Sequence, residues 1–448
     1  MIRVCASVAA IVLCLAGTAA QAPAAKVSVI HAGALLDRPG QAPRGASTLV
    51  VRGGRIEAVR EGFVTPEAAG VAGARVVDLR DQFVLPGLID MHVHIFSDDD
   101  KVRARMEANT RDDEDNMVVA IDNARRTLEA GFTTIRDLGS DIHAVTALRD
   151  GINAGYLSGP TIVPAGRMIS ISGGHGDSSN NANREIAELE RAHEDNLCDG
   201  VESCRRAVRN QIGQGAEVVK FAATGGVLSN VAGGLGRQMF DDEMKAIVDT
   251  GHSFGRKVTA HAHGKDGIEA ALRAGVDSVE HATYTDAESL ALFKRTGAYL
   301  VPTMVAPEAA LAQARAGARP PAVLAKAEEA AKIAFANHIE QFRSGVKIAF
   351  GTDTGVSSHG LNAKEFKMMV DAGMSPAEAI KTATVNAADL LDRSASLGTL
   401  EPGKDADIIA VSTSPLADVT QLERPTFVMR RGVVVKLGGQ RQAFPPNS

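Results

Sequence analysis

The chain has 448 residues, 45% of them hydrophobic and 23% charged, an ordinary globular mixture with room for more than one domain. Its formal net charge of −6 gives no basic footprint for nucleic acid, and after the first twenty residues no apolar run is long enough to span a bilayer. Forty-four glycines against 14 Phe, 3 Tyr and no Trp fit a fold with many tight strand-to-helix turns.

At the start, Arg3 precedes an apolar stretch (4–15) and a run of small residues (16–20). This pattern predicts a secretory signal peptide over residues 1–20, cleaved near Ala20, and a periplasmic or secreted enzyme. Cys5 and Cys14 would leave with it, so the mature chain keeps Cys198 and Cys204. An oxidising compartment favours a local disulfide between them over two free thiols on one helix. Two cysteines are too few for a cysteine zinc site.

Residues 27–36, 47–60 and 75–85 read as strands, with Gly53-Gly54 as a hairpin turn. Strands return at 406–411 and 426–435 around an Arg431-Gly432 turn. The two ends, 26–86 and 398–437, are expected to form one small composite β-sandwich domain. Between them, residues 87–397 alternate strand and helix. The strand candidates are 88–95, 132–137, 161–165, 217–222, 257–263, 278–281, 299–303 and 347–352, and helical segments such as 115–130, 202–214, 241–255 and 266–274 lie between. Eight β/α units in about 270 residues predict a TIM (β/α)8 barrel. The stretch 307–332 is unlike a barrel element. It follows the seventh strand on the active face, as a lid or as a bland helical insertion.

The polar residues of interest fall at the ends of these strands. His92 and His94 are two apart in Gly87-Leu-Ile-Asp-Met-His-Val-His, so both imidazoles face one way, as metal ligands would. Lys220 ends Glu217-Val-Val-Lys-Phe-Ala-Ala, where an unpaired ammonium is costly to bury. A neutral amine there can capture carbon dioxide as a carbamate, an anionic bridge for two metals; an ordinary ion pair with a nearby carboxylate is the plain alternative. His261 and His263 end the fifth strand, Glu280-His281 the sixth, and Gly351-Thr-Asp353-Thr-Gly the eighth. Imidazoles, a lysine and a carboxylate on one rim admit a binuclear zinc site, in which Asp353 ligates metal and accepts a proton from the attacking water.

These motifs resemble the amidohydrolase superfamily, whose pattern is His-x-His, carboxylated Lys, His, His and Asp on strands 1, 4, 5, 6 and 8. His92, His94, Lys220, His261, His281 and Asp353 fill those positions. Val219-Lys-Phe-Ala-Ala-Thr-Gly-Gly-Val-Leu-Ser and His261-Ala-His-Gly look like the imidazolonepropionase-related dipeptidase branch. That branch includes Xaa-Pro and Xaa-Arg dipeptidases and ochratoxin-hydrolysing amidohydrolases. The resemblance implies two zinc ions per chain, bridged by N-carboxylated Lys220. It also implies carboxypeptidase-like cleavage of an N-acyl amino acid or dipeptide, ochratoxin A included, and a homo-oligomer, often an octamer.

Further candidates follow from position. His175, in Ser172-Gly-Gly-His-Gly-Asp, is a substrate contact and catalytic candidate, and His263 is placed to polarise the scissile carbonyl or fix a ligand. Tyr284 and His359 are possible substrate contacts, with packing as the alternative. His31, His143, His193, His252 and His338 read as structural or solvent-facing, and the acidic runs 98–100 and 112–115 as solvated loops and helix starts. Two other readings stay open. A mononuclear deaminase or cyclic-imide hydrolase would usually lack Lys220, and a non-catalytic scaffold would have no need of Asp353.

Overall fold

The computed structural model describes residues 27–444, apart from residues 108–109, 181, 230 and 316–320. The expected signal peptide, 1–20, lies outside the described residues.

The first four strands are β1 (Val27–Leu35), β2 (Ser47–Arg52), β3 (Arg55–Glu61) and β4 (Arg75–Pro86). Gly53 and Gly54, both at positive φ, make the β2–β3 hairpin turn, a conformation open to glycine without a Cβ clash. Eight shorter strands follow: β5 (Leu88–Val93), β6 (Phe132–Asp137), β7 (Thr161–Pro164), β8 (Val218–Ala222), β9 (Lys257–Ala262), β10 (Ser278–His281), β11 (Tyr299–Val301) and β12 (Lys347–Ile348). The chain ends with β13 (Ile408–Val411), β14 (Phe427–Arg430), β15 (Val433–Leu437) and β16 (Gln440–Arg441).

The two ends of the chain build one eight-stranded sheet, ordered β16-β15-β14-β13-β4-β1-β2-β3. The expected sandwich is therefore recorded as a single hydrogen-bonded sheet. Its outer strand nonetheless curls back, since Ile56 N–H donates to Lys404 O and Gly403 N–H to Ile56 O, joining the edge to the segment before β13. Ile30, Leu49, Leu79, Ile408, Phe427 and Met429 fill its buried face.

The eight central strands are parallel and fall into a three-stranded sheet, β5-β6-β7, and a five-stranded sheet, β12-β11-β10-β9-β8. One closed sheet was expected. The seams carry hydrogen bonds instead of full ladders: Met91 N–H to Phe350 O at one side, and Ile169 N–H to Lys220 O and Ala222 N–H to Ile169 O at the other. The eighth strand is the weak point, reaching only Ile348 where residue 352 was expected, because the next segment bonds to β5 and not along a regular ladder. Strands β5 to β11 are buried along their whole length, or in β9 after its first residue, as strands covered on both faces should be. Helices Asp113–Glu129, Val201–Gly213, Asp241–Ser253 and Lys265–Ala274 match the predicted segments to within two residues. Cys198, just before one of them, is disulfide-bonded to Cys204 within it.

Candidate active site

At the carboxyl ends of the parallel strands six imidazoles form one group. His92 and His94 rise from β5 with ring centroids 5.3 Å apart, and His92 is 5.1 Å from His281. His261 and His263 continue the group from β9, with His261 4.7 Å from His281 and 4.2 Å from His175. Asp353 Oδ1 lies 3.1 Å from His94 Nε2 and 3.4 Å from His92 Nε2. Two sets have ligand atoms within 4.8 Å of one another, His92–His94–Asp353 and His261–His263–His281. Five of the six metal positions expected from the sequence fall in these two sets, and the sixth, Lys220, lines the same cavity. Geometry does not separate His263 from the two expected ligands beside it.

The rim is built with backbone strain. Six non-glycine residues have positive φ among those described, and His281 (φ 69), Ala282, Thr303 and Asp353 (φ 55) all lie here. Consecutive strand residues normally face opposite ways. The left-handed turn at His281 breaks that alternation, so Glu280 reaches His92 while His281 reaches His261. Thr303 Oγ1 fixes His281 Nδ1 at 2.7 Å, and Thr283 Oγ1 fixes His263 Nδ1 at 2.7 Å. Two glycines leave room for the rings: a Cβ on Gly139 would come within 2.6 Å of His94, and one on Gly226 within 2.3 Å of His175.

Burial sets the protonation states. His92 and His175 are each pushed down to about 4, and His263 to about 3, by loss of hydration, with the charge at Lys220 adding to it. Burial and neighbouring imidazoles push His261 and His281 well below the ordinary value. All five are neutral near pH 7 and can offer lone pairs. Asp353 keeps its charge, because burial, which raises its pKa, is outweighed by His92, His94 and Lys220. Lys220, 2% exposed, has no hydrogen-bond partner for its Nζ among the described residues, and burial pushes it down to about 8. An orphaned buried amine beside two ligand sets is the arrangement a carbamate bridge would relieve. Between His281 Nε2 and His261 Nδ1, 3.0 Å apart, one proton serves only one of two lone pairs. The residues present therefore fit a pair of divalent cations.

These groups floor a cavity of about 560 Å³, the size of a small-ligand site. His175, which also lines it, is held by Ser229 Oγ at 2.9 Å. Tyr284 and His359 are not among the lining residues. His359 instead packs behind the site, its ring on Thr127 Oγ1 and the His94 carbonyl, and Tyr284 N–H bonds the His263 carbonyl. The His359 ring is thus held away from the cavity by its own bonds. The stretch expected as a lid or an insertion forms helices Val305–Arg315 and Pro321–Ser344, from which Ala306, Pro307, Ala310, Ala334 and His338 line the wall. Sequence reading had put His338 among structural or surface positions. It also gave no role to Arg167, which lines the cavity, or to Arg136 and Glu280 beneath the floor. Helical periodicity around His338 was the available signal; nothing local marked the other three.

The Amidohydrolase family model matches residues 83–435. The chain belongs to that family. It is 34% identical over 433 residues to the ochratoxinase of Aspergillus niger, covering 92% of this chain and 87% of that one. An imidazolonepropionase from Salinispora tropica is 25% identical, covering 78% of this chain and 82% of its own. Among solved structures, a Xaa-Pro dipeptidase with bound methionine in its active site superposes with a TM-score of 0.86 at 36% identity, covering 92% of this chain and all of that one. As a family member the protein is a hydrolase acting on amide bonds.

Proposed function

We propose that this amidohydrolase uses two divalent cations, zinc by the donor set, to cleave the amide bond of an N-acyl amino acid or dipeptide beside its free carboxylate. Ochratoxin A, split to ochratoxin alpha and phenylalanine, is a candidate substrate. The observation that carries the reading is that His92, His94, His261, His281 and Asp353 line one cavity together with Lys220, whose Nζ has no hydrogen-bond partner among the described residues. His92, His94 and Asp353 would hold one cation, His261 and His281 the other, with Lys220 as a carbamate between them. That group forms from the neutral amine and carbon dioxide, with one proton released. When bound, the cations would polarise the scissile carbonyl and acidify water.

The chain's own groups do the rest. Asp353, held ionised, takes the proton of the attacking water and later returns it to the leaving amine. His263, its Nδ1 fixed by Thr283, presents its other nitrogen toward the floor and is placed to stabilise charge on the carbonyl oxygen. A neutral His175 supplies no charge for a substrate carboxylate. Arg167 does; apart from Lys220 and the histidines it is the basic group among the described lining residues, 3.7 Å from Asp141.

The test is a matched pair: a dipeptide or N-acyl amino acid against its C-terminal amide, assayed with zinc-loaded protein. Equal turnover of the amide sinks the carboxypeptidase-like reading. The parallel strands, joined at both seams, are read as a TIM barrel over 87–397, and the curled terminal sheet as the β-sandwich domain of 26–86 and 398–437. We further propose that residues 1–20 direct export; the Cys198–Cys204 disulfide, suited to an oxidising compartment, supports this.

A further inference from the structure

Beneath the cavity floor, Arg136 and Glu280 are 1% and 0% exposed. Arg136 Nη2 lies 2.7 Å from Glu280 Oε1, which also accepts from Thr259 Oγ1 at 2.5 Å and Ser278 Oγ at 3.0 Å. Its Nε donates to the Met91 carbonyl at 2.6 Å, one residue before His92. Glu280 Oε2 takes none of these bonds. It lies 2.9 Å from His92 Nδ1, and among the described residues neither of these two buried atoms has a hydrogen bond of good geometry to any other partner. Asp353 faces the opposite ring nitrogen of the same imidazole.

A buried ion pair is a poor way to stabilise a core, since apolar residues of similar volume do as well or better. This pair ends on one histidine, at the nitrogen that faces away from the cation site. A ring nitrogen that donates to a carboxylate carries the proton and leaves the other nitrogen's lone pair for metal.

We propose that Glu280, anchored by Arg136, is a positioning residue that takes the Nδ1–H of His92 and keeps Nε2 open to the cation. The inference rests on the metal-dependent reading given above. Glu280→Gln should turn its carbonyl to Arg136 and its NH2 to His92, moving the ring proton to Nε2. Glu280→Asp keeps the charge against Arg136 but shortens the arm. Ring ¹⁵N shifts of His92 in metal-free protein should report Nδ1–H in the native chain and Nε2–H in Glu280→Gln. Zinc release to a chelator should be about 10–100-fold faster in both variants.

Folded variants that keep the native tautomer and release zinc at the native rate overturn the proposal. Should neither variant fold, a native His92 protonated at Nε2 overturns it alone. A native chain that takes up no zinc overturns the metal reading instead, and the tautomer in metal-free protein still decides this one.

Discussion

The terminal sheet and the parallel strands bury their inward faces to the same extent and fill them with opposite chemistry. Ile30, Leu49, Ile56, Leu79, Ile408 and Phe427 pack in the first, each 1% exposed or less. The second buries Asp90, His92, Arg136, Lys220 and Glu280, none above 2%. An apolar face returns roughly 25 cal/mol per Å² of surface removed from water, whereas a charged group loses hydration and recovers it only through partners. Stability therefore resides in the terminal sheet and the outer packing of the strands. Their polar interior is a destabilising feature kept for chemistry.

The comparison breaks most visibly at Lys220. Lys220→Ala should lose cations and activity together, and high concentrations of a small carboxylic acid should restore part of both. Cation content unchanged from native, with native specific activity, would make Lys220 a structural ion-pair residue and refute the bridge. Asp353→Asn keeps size and one oxygen but cannot take a proton. We expect kcat to fall about 10²–10⁴-fold with at least part of the cation content retained, and an active variant would remove Asp353 from the proton path.

In the terminal sheet the effect reverses. Phe427→Ala opens a cavity where no ligand binds and should cost about 3–5 kcal/mol in denaturant unfolding. Cations per folded chain and kcat should stay native; a change in either would show that the sheet shapes the site.

Acid should sharpen the contrast with the smallest effect per group. His92 and His175, at about 4 in the fold, bind protons less readily than free imidazole at 6.5. Their contribution to metal-free stability is thus full above about 6.5 and is lost as pH falls through about 4, by about 1.4 kcal/mol per unit for each ring. Glu365, which accepts from the Met304 and Val305 N–H groups and is raised to about 8 by burial, acts the other way. Its contribution is full below the ordinary carboxylate value and is lost as pH rises through about 8. Thermal midpoints of metal-free protein should therefore fall from pH 6.5 to 4, and replacing His92 and His175 with Gln should flatten that limb. An unchanged slope would mean that other groups set it.

Much of this was legible in the residues. Strand periodicity and turn glycines located the parallel strands and the terminal sheet, and in-phase histidines on β5 and β9 marked the rim, because period-two geometry is local. Six ligand candidates, Asp353 among them, followed from their places at strand ends. The roles of Glu280 and Arg136 were not legible. Glu280 and His281 are adjacent, and alternation would send them to opposite faces; the positive φ at His281 is set by contacts such as its bond to Thr303, 22 residues on. Arg136 meets Glu280 across 144 residues, and His338 reaches the cavity from an insertion whose path the chain does not encode locally.

His359 departs from expectation for the same reason in reverse. Proximity to a strand end suggested the cavity, and ring bonds to Thr127 Oγ1 and the His94 carbonyl hold it behind the site. The sequence by itself determined which side chains could bind a cation and where along each strand they stand, since covalent spacing and backbone period suffice for that. Only the tertiary structure decided which carboxylate holds which ring, which amine is left without a partner and which helix walls the cavity. Those depend on contacts between segments far apart in the chain, where burial sets the cost of each unpaired group.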